Sequence, residues 1–112
     1  MSSIEVVEIA PGEHRLCLVA GTTEVDDVIV EAGHEPSGVF WEGIVELLIM
    51  GEAPHLDGRF EFDSEAGAFL ASGPDRVALD ELAARLQEVS VSGDRIRHLV
   101  DVAESRGFRF DD

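Results

Sequence analysis

The chain has 112 residues, of which 24 are acidic and 8 basic, so its formal net charge at pH 7 is −16. Hydrophobic residues make up 45% of it, which excludes the low hydrophobicity of disordered, highly charged chains. The longest apolar run, Ile44 to Met50, is too short to cross a bilayer, and residues 1–10 lack the basic and apolar segments of a secretory signal. These features predict a single domain, residues 1–112, in the cytoplasm.

The charge also restricts the expected partners. An acidic surface repels nucleic acids and anionic membranes, so a macromolecular partner should be cationic. The single cysteine, Cys17, excludes an internal disulfide and a cysteine-based zinc cluster, and the four histidines are scattered, so we expect neither a metal nor a cofactor. The acidity has a second explanation, adaptation to concentrated salt, which the sequence alone does not separate from a basic partner.

The excess charge lies mainly in the first part of the chain. Residues 1–65 contain fifteen acidic residues and two arginines, a sum of −13, whereas residues 66–112 contain nine acidic residues and six arginines, a sum of −3. Such an asymmetry is typical of a solvated surface, and it also fits a binding face for a basic partner.

The first third of the chain predicts a β-hairpin followed by a helix. Residues 4–9 are rich in β-branched types, Pro11-Gly12 marks a turn, and residues 14–20 alternate in a way that predicts a second strand buried on both faces. Helical spacing follows up to a stop at Gly33, in a segment that includes Val25, Val28, Ile29 and Ala32.

Residues 39–50 form the most apolar stretch and predict a central buried helix. Glu42 and Glu46 share the side opposite its main apolar face. Trp41, near the start of this helix, is expected in the core rather than as a half-exposed anchor.

A second hairpin is predicted for residues 59–63 and 68–72, with its two phenylalanines on one face and its charges on the other. In the turn between them, we expect Asp63 to bond turn amides and Gly67 to be free to adopt positive φ. Two amphipathic helices follow, the second capped by Ser92 and ended by Gly107.

The alternating Phe108 and Phe110 predict a final edge strand, which either pairs across a homodimer or closes the sheet of a monomer. The whole order predicts an α+β fold, a mainly antiparallel sheet of about four or five strands with about four helices packed on it.

Catalytic patterns are weak. Cys17 lies within an apolar strand, where a thiol normally packs as an inert hydrophobe. Asp63 and Glu65 are the most suggestive carboxylate pair, but general acid–base catalysis needs a buried carboxylate, and a turn is normally exposed. We therefore expect no catalytic residues, and a small hydrolase using this pair is the least favoured alternative.

Two local strings resemble the immunity protein 51 family of bacterial polymorphic toxin systems. The first is Gly38, Trp41, Glu42 and Gly43; the second is Phe62, Asp63, Glu65, Ala66 and Gly67. The resemblance covers about residues 33–102. It departs before the tryptophan, where the family often carries Asn and Tyr and this chain has Ser37 and Val39. It implies a non-enzymatic protein that is encoded beside a toxin and neutralises it by binding, and it brings no catalytic residue or cofactor. The structural motif positions are Gly38, Trp41, Gly43, Phe62 and Gly67.

We therefore predict an immunity protein whose acidic surface faces a basic surface of its cognate toxin, for example a nuclease that holds phosphates in a cationic cleft. The candidate partner-binding residues are the acidic side chains on or beside the second hairpin and on the helix before it: Asp57, Glu61, Asp63, Glu65, Glu42 and Glu46. The alternative is a regulatory or adaptor domain, also without catalysis, that binds another basic protein.

Overall fold

The computed structural model describes residues 4–110, and within them an antiparallel sheet and four α-helices form the fold. The strands are β1 (Ile4–Ala10), β2 (Glu13–Val19), β3 (Glu61–Phe62) and β4 (Ala68–Gly73), and they lie side by side in the order β1-β2-β4-β3. The helices are α1 (Asp26–Glu31), α2 (Gly38–Gly51), α3 (Arg76–Val89) and α4 (Gly93–Arg106), and a short 3₁₀ helix covers Pro54–Leu56. The predicted α+β class is confirmed.

One face of the sheet packs against helices α2 and α3. Residues that pair directly across antiparallel strands point to the same face, so the register places the pairs Leu16–Ala71 and Leu18–Phe69 on this side. All four side chains are buried there. This face and the apolar sides of the helices together form the hydrophobic core.

The other face of the sheet is not covered by any helix of the described chain. Its β2 side chains, Cys17 and Val19, are partly and substantially exposed, respectively. The prediction that β2 is buried on both faces is therefore wrong. Apolar alternation on both sides of a strand normally indicates a sheet between two layers, but an antiparallel sheet needs only one covered face to be stable.

Helix α2 is the central buried helix that the sequence predicts. Nine of its 14 residues are buried, and Trp41 is completely buried, which confirms its place in the core. The helix starts where the side chain of Ser37 accepts a hydrogen bond from the backbone N–H of Phe40 over 3.2 Å. None of the helices among residues 4–110 is long and apolar enough to span a membrane.

Helix α4 begins and ends as predicted, and α3 begins with a side-chain cap of the same kind. The Asp75 side chain accepts from the N–H of Ala78 at the start of α3, and Ser92 accepts from Arg95 at the start of α4. Gly107 ends α4 with φ of 71°, a left-handed conformation that favours glycine.

The segment after α4 does not form the predicted edge strand. Phe108 and Phe110 lie outside every strand of the described residues, and the Phe110 ring packs on α2 with its centroid 4.7 Å from that of Phe40. The physical reason is Gly43, whose missing side chain leaves room for the Phe110 ring. The edges of the sheet are β1 and β3 instead, so an edge strand at Phe108 and Phe110 offers no route to a homodimer.

The second hairpin is present but shorter than predicted, because only Glu61 and Phe62 pair with β4 as a strand. In its turn, the hydroxyl of Ser64, rather than the carboxylate of Asp63, accepts a backbone hydrogen bond, from the N–H of Leu70 over 3.4 Å. Gly67 does not take positive φ. The carbonyl oxygens of Ala66 and Gly67 in this turn accept hydrogen bonds from the N–H groups of Gly38 and Ala20, respectively.

Candidate interaction surface

The uncovered side of the sheet, which we call the open face, has its side chains aligned in rows by the strand register. One row runs through Glu5, Cys17 and Leu70, and Asp63 extends it because its N–H donates to the Leu70 carbonyl over 3.0 Å. The next row joins Val7, Arg15, Ser72 and Glu61, and a short third row joins Val19 and Ala68. The open face thus comprises Glu5, Val7, Arg15, Cys17, Val19, Glu61, Asp63, Ala68, Leu70 and Ser72.

The middle of the open face combines apolar side chains with Arg15 and Ser72, and its two ends are acidic. Val7 and Val19 are 44% and 45% exposed, and Cys17 and Leu70 are partly exposed between them. Glu5 lies on the β1 side, and Glu61 and Asp63 lie on the β3 side. A solvated sheet face normally carries polar residues, so this composition is characteristic of a surface that meets another molecule.

The thiol of Cys17 behaves as part of this apolar centre. Burial raises the pKa of Cys17, the neighbouring Glu5 carboxylate raises it further, and Arg15 acts in the opposite direction. The thiol is therefore protonated at neutral pH, in agreement with its expected low reactivity. It packs as a small hydrophobe in a partly exposed position.

Three of the predicted acidic residues come together along β3 and its turn, and we call them the acidic edge: Glu61, Asp63 and Glu65. All three are exposed. Glu65 forms an isolated bridge with Ala68, and Glu61 and Asp63 line a shallow hollow of about 380 Å³ on the open face. Because β3 is an edge strand, these carboxylates are accessible from the side as well as from the face.

Two more predicted residues lie on the other side of β3, in what we call the edge hollow. Glu46 and Asp57 stand among its largely apolar walls, which enclose about 280 Å³. The walls include Ile49, Met50, Leu56, Phe60 and Phe62. Phe62 also lines the hollow on the open face, so the carboxylates of the two hollows flank one edge strand.

The sixth predicted residue, Glu42, is separate. It lies one helical turn before Glu46 on α2 and is partly exposed, but it lines neither of these hollows. The structure thus places the predicted set as three residues on the acidic edge, two in the edge hollow and one beyond it.

The arginines neutralise carboxylates mainly on the helical side of the molecule. Arg85 contacts Glu81 and Glu52, and Arg95 reaches Glu52 at 2.7 Å. Further pairs on or beside the helices are Arg59–Asp75, Arg76–Asp80, Arg97–Glu31 and Arg97–Asp94. Among residues 4–110, none of the three acidic-edge carboxylates is in an ion pair, so the negative charge there is not neutralised by a neighbour.

The arrangement does not support the hydrolase alternative. Asp63 and Glu65 are both exposed, and a catalytic acid of this kind depends on burial. Nor do three or more His, Cys, Asp or Glu side chains come together as a candidate metal site within the described part of the chain. This surface therefore has a shape, an apolar area and a negative charge that a partner can bind.

Comparison with protein-family models gives a match to immunity protein 51 over residues 5–105, nearly the whole chain. The chain belongs to the immunity protein 51 family. Searches of curated proteins and of solved structures found no match. Membership confirms the resemblance and extends it at both ends of the chain, since the matched region includes most of β1 and nearly all of α4.

In this immunity protein 51 family member, the two motif strings contact each other. The N–H of Gly38 donates to the carbonyl oxygen of Ala66 over 3.0 Å, and a Cβ on Gly38 would overlap the carbonyl oxygens of Glu65 and Ala68. Gly43 has an equally specific neighbour in the Phe110 ring. Both glycines therefore permit close packing, and the motif positions around them support the fold.

The sequence did not predict the open face, because the apolar residues of β2 indicate a strand that is buried on both faces. One available signal was β1, where Val7 and Ile9 occupy alternate positions and no predicted helix remained to cover them. In this chain, helices α2 and α3 pack on one sheet face, and no helix of the described residues covers the other.

Proposed function

We propose that this chain is an immunity protein that neutralises a cognate toxin by direct binding, in the cytoplasm of the cell that makes both. The observation that carries the proposal is the family match across residues 5–105. The acidic edge is consistent with binding rather than catalysis, because its three carboxylates are exposed, form no ion pair among residues 4–110, and lie on or beside an edge strand instead of in a buried cleft.

The charge distribution supports a basic partner. A net charge of −16 attracts a cationic surface and accelerates association, an effect that added salt weakens. The acidic edge carries three exposed carboxylates that form no ion pair with an arginine among residues 4–110. Toxins that cleave nucleic acids need cationic clefts, so a nuclease is the toxin class that fits this surface best.

Co-expression with the toxin encoded beside this gene tests the proposal. The chain should restore growth of cells that express the toxin, and the two purified proteins should elute together from a sizing column. Toxicity that persists, together with separate elution, would exclude the immunity role.

A matched control tests the acidic surface separately. Glu61→Lys with Asp63→Lys should weaken rescue, whereas Glu88→Lys with Glu104→Lys changes the net charge equally at exposed positions on α3 and α4. Equal rescue by both pairs would show that total charge, rather than the acidic edge, governs recognition.

A further inference from the structure

The open face carries a group of exposed and partly exposed apolar side chains, which we call the strip, on an otherwise highly charged protein. Its centre combines the half-exposed Val7 and Val19 with the partly exposed Cys17 and Leu70, and these residues lie on three adjacent strands. Isolated apolar residues are ordinary on a protein surface, but a strip across paired strands indicates a contact surface.

The charges around the strip restrict what covers it. Glu5 closes the β1 end of the central row and Asp63 closes the β3 end, while Glu61 lies beside Asp63. Arg15 is the only cation among the residues of this face. An apolar partner surface with arginines or lysines around it would match both the strip and its carboxylates.

A second copy of the chain fits this surface poorly. Stacking two open faces would bring their carboxylates together, and each copy carries a net charge of −16. The repulsion opposes the gain from burying the valines. A cationic partner instead gains from both the apolar contact and the charge.

The size of the strip fits the centre of an interface. The three strands that carry it are six or seven residues long, and with a spacing of about 4.8 Å and a rise of about 3.3 Å per residue their face covers roughly 300 Å². A stable interface buries about 800 Å² on each partner, so the strip supplies the apolar centre and the acidic edge supplies part of the charged rim.

We propose that the open face is the docking surface for the toxin, with Val7, Cys17, Val19 and Leu70 at its centre and the acidic edge at its rim. The proposal rests on the immunity function and goes further, since it names the sheet face and the partner chemistry: an apolar patch surrounded by basic side chains. The edge hollow then lies beside the interface rather than at its centre.

Cys17 provides a direct test, because it is the single cysteine of the chain and lies at the centre of this face. The probe is the toxin encoded beside this gene, inactivated by mutation and freed of its own cysteines. Thiol alkylation of the chain is followed by mass spectrometry at about pH 8.5, near the ordinary thiol pKa. Saturating toxin should slow labelling about tenfold or more, because only the dissociated chain presents the thiol.

The control moves the thiol to the helical side. A Cys17→Ser, Ala84→Cys variant carries its cysteine at an exposed position of α3. Its labelling should stay within about twofold of the free rate when toxin is bound. Protection of the α3 thiol with no protection of Cys17 would overturn the docking surface while leaving the immunity function intact. If no complex forms at all, both fail.

A second measurement does not depend on labelling. Val7→Ser with Val19→Ser should weaken toxin affinity about tenfold, because four methyl groups, about half of whose area is exposed in the free chain, are replaced by two hydroxyls. Val30→Ser with Val77→Ser makes the same change at exposed positions on α1 and α3 and should leave affinity within about twofold. Equal affinities for the two pairs of variants would contradict the proposal. So would a free chain that covers this face by forming a dimer, which would show as slow thiol labelling without toxin that becomes faster when the protein is diluted.

Discussion

The backbone N–H of Gly38 donates a hydrogen bond to the carbonyl oxygen of Ala66 over 3.0 Å. This bond joins the start of α2 to the turn between β3 and β4, two segments separated by 28 positions in the chain. A second bond, from the N–H of Ala20 to the carbonyl oxygen of Gly67, fixes the same turn to the end of β2. The turn that carries Glu65 is thus held by the core elements, which positions the acidic edge before any partner arrives.

Replacing Gly38 by alanine should destabilise the fold. A Cβ at this position would overlap the backbone carbonyl oxygens of Glu65 and Ala68, which cannot rotate away as a side chain can. We expect a loss of about 3 kcal/mol in the free energy of unfolding, measured by urea denaturation.

Gly51→Ala is the matched control for this prediction. It lies in the same helix, and a Cβ there meets no atom within 4 Å. Alanine favours helix over glycine, so stability should rise by up to about 1 kcal/mol. Similar losses in the two variants would mean that the tight contact at Gly38 does not matter.

The contact between Gly43 and Phe110 gives a second prediction. A Cβ on Gly43 would overlap the Phe110 ring, so Gly43→Ala should cost about 1–3 kcal/mol of the free energy of unfolding. In a Phe110→Ala background the obstacle is absent, and the same substitution should cost less than half as much. A double-mutant cycle in urea measures this coupling, and strictly additive losses would refute it.

How far the sequence predicts this architecture depends on the kind of contact. Local patterns suffice for the caps at Ser92 and Gly107, because hydrogen bonding within a few residues determines helix ends. Local patterns do not suffice for Phe108 and Phe110. Their alternation predicts a strand, but the space that Gly43 leaves for the Phe110 ring determines the path of this segment. Such a space exists only after α2 and the end of α4 have packed.

The candidate surface shows the same division. Hairpin alternation was sufficient to place Glu61 and Asp63 together on one side, since a strand has a period of two. The sequence did not separate Asp57 and Glu46 from them, because only the packed structure shows that β3 lies between the two groups. It also could not show that one sheet face stays uncovered.

A surface network on the helical side predicts a pH dependence. The ring of His55 lies 2.7 Å from a carboxylate oxygen of Glu81, and Arg85 donates to the same carboxylate over 3.1 Å. The hydrogen bond from His55, with a further contribution from Arg85, lowers the pKa of Glu81 below its ordinary value of 4.5. Glu81 therefore stabilises the fold above that value, and the contribution disappears as the pH falls through its lowered pKa.

The free energies of unfolding of the wild type and of Glu81→Gln, measured between about pH 3 and pH 7, test this sign. The wild type should be more stable at the upper end, and the two should converge at the acidic end. Glu88→Gln is the control on the same helix, at an exposed position. A difference between wild type and Glu81→Gln that grows toward low pH would contradict the assignment.

Charge reversal on the acidic edge should affect the rate of toxin association more than the rate of dissociation. Glu61 and Asp63 are exposed and lie at the rim of the open face, where charges guide the approach of a partner instead of being desolvated beneath it. Glu61→Lys with Asp63→Lys should therefore slow association about tenfold at low salt and flatten its dependence on ionic strength. Stopped-flow measurements across a salt series give both quantities.

Because Glu88→Lys with Glu104→Lys changes the net charge equally, a comparable slowing in that control would assign the effect to total charge. If instead the dissociation rate of the acidic-edge variant rises while its association rate is unchanged, these carboxylates are buried against the toxin, and the acidic edge belongs to the centre of the interface.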